Sequence, residues 1–382
     1  MVQRLARSGG LYVSRYPPPE TLAFHLKQLT RRLEINCVLD VGAHQGGYAR
    51  LLRREAGFGG EDCLLQAEGS GGRVSAPRLA ATIIIPTHDR PELLERAVAG
   101  ALAQTVRDIQ VVVVDDGSAE PVQLPPDPRL EVVRNPHPLG VSAARNLGLK
   151  AAAGPWVTFT DDDDELLPDM VQVSLEAAEG SRLPGPVAVL SGLEVVDAHG
   201  QVVEARQATT VARQPPPYRQ APDDGFAQDA NTLFAPTEVL RALGGWDETI
   251  KGWEMDDLLI RLVQHCSLQA APQITYRRHR HVGARQSAHA AQMLDGARLV
   301  LRKHRRFYQA HPQLHGRQLA ILGTSYIRNG RWWPAVRAMT TSLRVDPGRP
   351  KAFVQWVGAL TGPRLYGSYL EARQRRNGQP AA

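Results

Sequence analysis

Cysteine is scarce: Cys37, Cys63 and Cys266 stand far apart in a chain of 382 residues and are odd in number. This excludes a disulfide framework and a clustered-thiolate metal site, leaving oxygen and imidazole as the ligands for any metal. Long apolar runs are lacking too; none approaches the roughly 18–20 residues that a bilayer span needs. No apolar stretch that would read as a signal peptide follows Met1-Val2-Gln3-Arg4-Leu5-Ala6-Arg7, so a soluble protein of the reducing cytoplasm is expected. Acidic residues all but vanish near the end: from Arg298 onward 16 Lys and Arg face only Asp346 and Glu371. The first 297 residues hold 29 basic against 37 acidic groups, so the overall charge of +6 belongs to the tail. With no helix-turn-helix, zinc-finger spacing or aromatic RNA-binding signature, no nucleic-acid partner is expected. An anionic membrane surface or an acidic face of the same protein suits such a tail, so peripheral membrane association is an expectation.

What is present is enough for a substantial core, with 43% hydrophobic residues. Composition divides the chain at 1–76, 77–290 and 291–382. The first segment ends in Glu68-Gly69-Ser70-Gly71-Gly72, a flexible stretch. The second alternates short β-branched runs with helical patterns, which predicts an α/β sheet with strands at Thr82–Ile85, Gln110–Val114, Leu130–Val133, Trp156–Thr160 and Ala188–Ser191. A helix is predicted from Pro91, with proline in its first turn. The third segment is helical and rich in arginine. Its Leu322-Gly323…Tyr326…Gly330…Ala335…Ala338…Leu343…Asp346-Pro347 spacing predicts one tetratricopeptide-like helix pair. One copy cannot build a solenoid, so a packing or docking role is expected for it.

Acidic groups fall where strands end, the place where ligands collect in open α/β sheets. Asp115-Asp116-Gly117-Ser118 follows Val111–Val114, and Asp161-Asp162-Asp163-Asp164-Glu165 follows Trp156–Thr160. Five consecutive carboxylates repel one another unless solvated or neutralised, so an oxygen-ligated Mg²⁺ or Mn²⁺ is expected.

These motifs stand in an order that resembles a family 2 glycosyltransferase with the GT-A fold, over residues of about 80 to 282. Ile84-Ile85-Pro86-Thr87-His88-Asp89-Arg90 is similar to the opening strand and nucleotide loop. Val114-Asp115-Asp116-Gly117-Ser118 resembles the uracil-contacting turn, and Ala144-Arg145-Asn146-Leu147-Gly148 the helix start facing the diphosphate. Phe159–Asp169 is similar to the DxD segment. Gly244-Gly245-Trp246-Asp247-Glu248 and Trp253-Glu254-Met255-Asp256-Asp257-Leu258 resemble the acceptor and base region, and Tyr276-Arg277-Arg278-His279 the late metal-side histidine. The resemblance implies a Rossmann-like mixed sheet with a helical C-terminal extension. It further implies an inverting transfer from a nucleotide sugar, UDP-linked by the uracil turn, to a hydroxyl of a glycan, a lipid-linked sugar or a small molecule.

The same resemblance assigns roles. Pro86, Thr87, His88, Arg90, Asp115 and Asp116 would line the nucleotide. Asp161 and Asp163 would form the DxD pair, with Asp163 the direct metal ligand, Asp161 or Asp162 at the ribose or metal, and His279 completing the shell. Arg145 would pair with phosphate oxygens as a fork of donors. Inversion requires a base for the acceptor hydroxyl, and here the sequence departs from the pattern. The expected Asp, six residues before Arg261, is Met255, with Glu254 and Asp256 on either side. Successive helical residues point about 100° apart, so either a shifted helix start brings in Asp256 or Glu254 uses its longer reach. Trp246 and Trp253 are candidates for stacking on sugar faces.

A second resemblance lies in Val38-Leu39-Asp40-Val41-Gly42-Ala43-His44-Gln45-Gly46-Gly47 and Glu68, similar to the opening of an FkbM-type, S-adenosylmethionine-dependent methyltransferase. The rest of that domain is missing, so a truncated relic or packing module is expected. Two alternatives to the transferase stand: a methyltransferase on that N-terminal fold, or an inactive GT-A module that recruits partners, for which Met255 is the support.

Overall fold

A computed structural model describes residues 79–213, 230–280 and 290–362. The methyltransferase-like motif and Glu68 lie outside the described residues.

The first four strands, β1 (Ala81–Thr87), β2 (Ile109–Asp115), β3 (Leu130–Arg134) and β4 (Trp156–Phe159), run parallel in the order β3-β2-β1-β4. Helix α1 (Pro91–Leu102) carries the chain from β1 to β2. Helix α2 (Val141–Ala151) carries it from β3 to β4 on the other side of β1. The carboxyl ends of β1 and β4 therefore flank the switch point where an α/β sheet opens a crevice. Beyond β4 the sheet continues with β8 (Leu233–Pro236), β6 (Val187–Val196), β9 (Ser267–His279) and the short β5 (Glu165–Leu166), while β7 (Val202–Arg206) pairs with β6. The pairings β4–β8, β6–β8, β6–β7 and β5–β9 are antiparallel and β6–β9 is parallel, so the sheet is mixed.

The central strands are continuous β-branched runs because both of their faces are covered. Ile84, Val112 and Val114 pack on the side that holds Trp246, Trp253 and helix α5 (Glu254–Leu262). Ile83, Ile85, Val111 and Val113 pack on the opposite side with Leu94 and Ala97 of α1 and Met170 of α3 (Met170–Glu179). This is the two-residue alternation of a strand, with an apolar residue at every position.

The C-terminal helices are α6 (Ala290–Lys303), α7 (Arg305–Ala310), α8 (Pro312–Arg328), α9 (Trp332–Val345) and α10 (Pro350–Leu360), the helix before them being α4 (Thr237–Ala242). The expected helix pair is α8 and α9. Gly316 lets α9 approach closely, since a Cβ there would lie 2.6 Å from Asp346 Cβ, and Ser342 Oγ donates to the Gly316 carbonyl at 2.6 Å. Phe307, Tyr308, Leu314 and Leu322 join the same core cluster as Leu258 and Leu262 of α5. The sheet and these helices thus share one core. Asp257, fully buried, fastens the junction: it accepts from His304 Nε2 and Lys303 Nζ, each at 2.7 Å, and from Arg261 Nη2 at 2.8 Å. Burial alone would raise its pKa, but these donors outweigh it and hold the carboxyl well below the usual range. Among the described residues, no helix is long and apolar enough to cross a membrane.

Candidate active site

At the end of β2, Asp115 is almost fully buried and accepts from Ser118 N at 2.8 Å, Val122 N at 3.3 Å and Arg134 Nη1 at 2.6 Å. Burial pushes its pKa up, and these hydrogen bonds and the Arg134 charge bring it below the ordinary value. Asp116 turns into the loop before α2, where it accepts from Asn135 Nδ2, Leu139 N and Gly140 N at 2.7, 3.0 and 2.7 Å. The turn that follows them needs Gly117: its φ is 71°, and a Cβ would lie 2.5 Å from the His137 carbonyl carbon. Asp89, at φ 51°, accepts from Ala119 N at 2.8 Å and donates its own N–H to Ser118 Oγ at 3.0 Å, tying the β1 loop to this turn. His88 is exposed and Pro86 is buried in β1.

The five acids after β4 divide by direction. Asp162 faces the β1 loop, accepting from Thr87 Oγ1 at 2.9 Å and Arg90 Nη1 at 3.1 Å. Asp161, Asp163 and Asp164 instead converge, each offering a carboxylate oxygen within 4.8 Å of the others. Arg90 reaches Asp163 Oδ2 at 3.7 Å, and Arg145 Nη2 reaches Asp161 Oδ1 at 2.8 Å. Asn231 Nδ2 donates to Asp161 Oδ2 at 3.3 Å. Tyr276, fully buried on β9, donates its hydroxyl to Asp164 Oδ2 at 2.8 Å. Burial, then the Asp161 charge, pushes the Asp164 carboxyl up to about 7. An all-carboxylate, oxygen-only set of this kind fits a hard divalent cation such as Mg²⁺ or Mn²⁺.

His279, expected as the third metal ligand, is not among these three converging groups. His279 turns its ring to Glu165, with Nε2 3.4 Å from Oε2, and only its backbone N–H reaches Asp164, at 3.2 Å. Asp164 holds the third place of the acid cluster. Burial, then the Arg96 charge, lowers the His279 pKa. Glu165, the fifth acid, is spent on β9, paired with His279 and Arg277.

Arg145 is buried and sits between the acid cluster and α5, its Nη1 3.3 Å from Glu254 Oε1. Charge from Asp161 and Glu254 raises its pKa although burial opposes this. Of the four residues that open α5, Glu254 and Met255 reach Arg145 while Asp256 and Asp257 engage other partners. Glu254 meets Arg145, and its Oε2 is buried with no hydrogen-bond partner among the described residues. Met255 lies beside it, with Trp246 Nε1 3.1 Å from its sulfur. Asp256 faces away, accepting from Gln318 Nε2 of α8 at 3.1 Å. Asp257 is consumed in the ion cluster at the helix junction. Trp246 and Trp253 are core residues, 2% and 7% exposed, with Trp246 set edge-on to Phe159 at 4.5 Å, so the expectation of sugar stacking is corrected for both.

Sequence reasoning missed Asp164, Tyr276 and Gln318 as individuals. The first two lie inside the DxD and late-histidine motifs, where the direction of each side chain depends on β-strand pairing. Nothing in the sequence links Gln318 to a residue 62 positions earlier.

Residues 82–192 match Glycosyl transferase family 2. The matched segment runs from β1 into β6 and contains both acidic turns and Arg145. The mixed sheet with its helical C-terminal region is the GT-A arrangement that the motifs implied. Among curated proteins, the succinoglycan biosynthesis protein ExoO of Rhizobium meliloti is 32% identical over 138 residues, 35% of this chain and 39% of that protein. The pre-mycofactocin glycosyltransferase of Mycobacterium tuberculosis is 30% identical over 194 residues, 48% and 39% of the two chains. The GalNAc(5)-diNAcBac-PP-undecaprenol beta-1,3-glucosyltransferase of Campylobacter jejuni is 33% identical over 109 residues, 27% and 35% of the two. The chain thus spans about two fifths or less of these relatives. Among solved structures, S. aureus TarS 1–349 in complex with UDP-GlcNAc has a TM-score of 0.49 at 16% identity, covering 79% of this chain and 93% of that one.

Proposed function

We propose that this protein is an inverting, metal-dependent glycosyltransferase that moves a sugar from a nucleotide-sugar donor to a hydroxyl acceptor. The observation that carries the reading is the convergence of Asp161, Asp163 and Asp164 at the β1/β4 switch point, beside Arg145 and Glu254. The three carboxylates would hold Mn²⁺ or Mg²⁺. When bound, such an ion neutralises the roughly two charges of a diphosphate and favours its departure.

The chain's own residues supply the rest. Arg90 and Arg145 bring positive charge to the mouth of the cluster, and Arg145 offers a planar fork suited to phosphate oxygens. The Asp115–Ser118 turn, locked to the β1 loop through Asp89, forms the wall of the nucleotide site; its similarity to a uracil-contacting turn supports a UDP-linked sugar. For the base, geometry favours Glu254 over Asp256. Glu254 Oε2 has no hydrogen-bond donor among the described residues and lies on the Arg145 side of α5, where it can take the proton of an attacking hydroxyl as the sugar carbon inverts. Asp256 lies across the helix, engaged with Gln318.

The Campylobacter relative is named for an undecaprenol-linked acceptor, and the 16 basic residues after position 297 suit the anionic surface where such acceptors lie. A lipid-linked sugar and a peripheral membrane position are accordingly the acceptor and location we favour. Met255 supports a second reading, an inactive binding module. A thermal-shift screen of nucleotide sugars with Mn²⁺, followed by donor hydrolysis and transfer, tests both. A ligand at 100 times its Kd should stabilise by about 2.7 kcal/mol. Binding without any turnover would favour the second reading, and the absence of donor binding would remove the first.

A further inference from the structure

Asp256 and Gln318 join helix α5 of the sheet core to helix α8 of the C-terminal region, and neither has a place in the chemistry proposed above. Gln318 Nε2 donates to Asp256 Oδ1 at 3.1 Å. A carboxylate can only accept, so this contact fixes the amide orientation and leaves Gln318 Oε1 turned the other way. There it is buried, with no hydrogen-bond partner among the described residues. An orphaned buried carbonyl costs free energy, so the contact is a poor device for stability alone. Its backbone, in contrast, is firmly seated. Leu314 and Ala320 flank it in the core, and Gly316, two residues earlier, is clamped by Ser342 of α9. A rigid element therefore presents one donor to the first turn of α5, within the same turn as Glu254.

We propose that Gln318 is a positioning residue of the candidate active site, holding the first turn of α5 through Asp256 and so setting Glu254 against Arg145. The C-terminal helices would then be a working part of the transferase rather than an appendage. The inference rests on the reading of Glu254 given above. The charged and titratable groups that face Asp256 are Glu254 on its own helix, Arg317 on α8 and Tyr308 on α7. Burial, opposed by the Gln318 hydrogen bond and reinforced by the Glu254 charge, pushes the Asp256 carboxyl up to about 6. Near pH 5 it carries a proton it can donate, and near pH 8 it does not.

The test compares Gln318→Leu and Gln318→Glu with the exposed α8 control Gln313→Leu, under saturating donor and acceptor. Gln318→Leu should lower kcat by about 10-fold, by misplacing a reacting group, with little change in donor KM and the same ratio to wild type at every pH. Gln318→Glu should approach wild type near pH 5, where protonated Asp256 donates to the new carboxylate, and lose about 10-fold or more toward pH 8, where the two repel. Gln313→Leu should match wild type. A purely structural contact would lower the stability of both Gln318 variants without moving kcat of the folded enzyme, and wild-type kcat in Gln318→Leu, or a pH-independent kcat in Gln318→Glu, overturns the proposal. If wild type itself transfers no sugar, the reading of Glu254 fails first. Hydrogen exchange at the amides of residues 257–259 then still decides the positioning: faster exchange in Gln318→Leu alone supports it, and unchanged exchange refutes it.

Discussion

Asp161 and Glu254 share one guanidinium: Arg145 Nη2 lies 2.8 Å from Asp161 Oδ1 and its Nη1 3.3 Å from Glu254 Oε1. The donor side and the acceptor side of the proposed reaction are therefore linked by a single buried cation. Arg145→Leu should destabilise the fold by about 1–3 kcal/mol, because it leaves the part-buried Asp161 and Glu254 carboxylates without their shared cation. Arg145→Lys keeps the charge but loses the fork. It should fold near normally in urea denaturation yet bind a nucleotide diphosphate weakly in calorimetry.

The direction of the five acids predicts a split among them. Asp163→Asn should abolish Mn²⁺-dependent UDP binding. Asp162→Asn should keep the Mn²⁺ dependence, since Asp162 is committed to Thr87 and Arg90. Titration of UDP with and without Mn²⁺ checks both, and equal losses would dissolve the distinction between the two residues.

Glu254→Gln should preserve donor and metal affinity while kcat falls by about 10²–10⁴, the usual range for a lost general base. Asp256→Asn should cost much less, because an amide oxygen at the same place still accepts from Gln318. The reverse ranking in a kcat comparison would transfer the role to Asp256.

Asp256 also predicts a stability profile. Its folded pKa of about 6 lies above the ordinary value near 4. Between those pH values the folded protein keeps a proton that the unfolded chain has released, so stability from this group falls as pH rises through the window. Above pH 6 the cost is complete, at most about 3 kcal/mol. Asp256→Asn should flatten this part of the profile and gain stability above pH 6; urea midpoints at pH 4.5 and 7.5 measure the difference.

The strands and the acidic turns were legible because β-branched runs flanked by acids leave few alternatives. The expected strand at Thr82–Ile85 lies inside β1 and that at Gln110–Val114 inside β2. The helix from Pro91 was likewise legible, from its apolar spacing and the proline in its first turn. What sequence could not supply was direction. Asp161, Asp162, Asp163 and Asp164 are chemically identical, and only the turn after β4 and the pairing of β5 with β9 aim Asp162 at Thr87 and Arg90 of the β1 loop and bring the other three together. The two tryptophans were misjudged for a related reason: Trp246 is drawn inward by Phe159 on β4, a contact 87 positions away in the chain. Gln318 belongs to the same class, placed by the packing of α8 and not by any local pattern.

The buried Asp257 has a consequence for how the protein comes apart. Its donors come from α5 itself and from Lys303 and His304, beyond the compositional break near residue 290. Stripping the C-terminal helices away would leave a negative charge in the core with one arginine for company. The break near 290 is thus a boundary of composition and not of cooperativity. Sheet and helices should melt in a single calorimetric transition, and a chain cut at 290 should fail to fold rather than survive as a smaller enzyme.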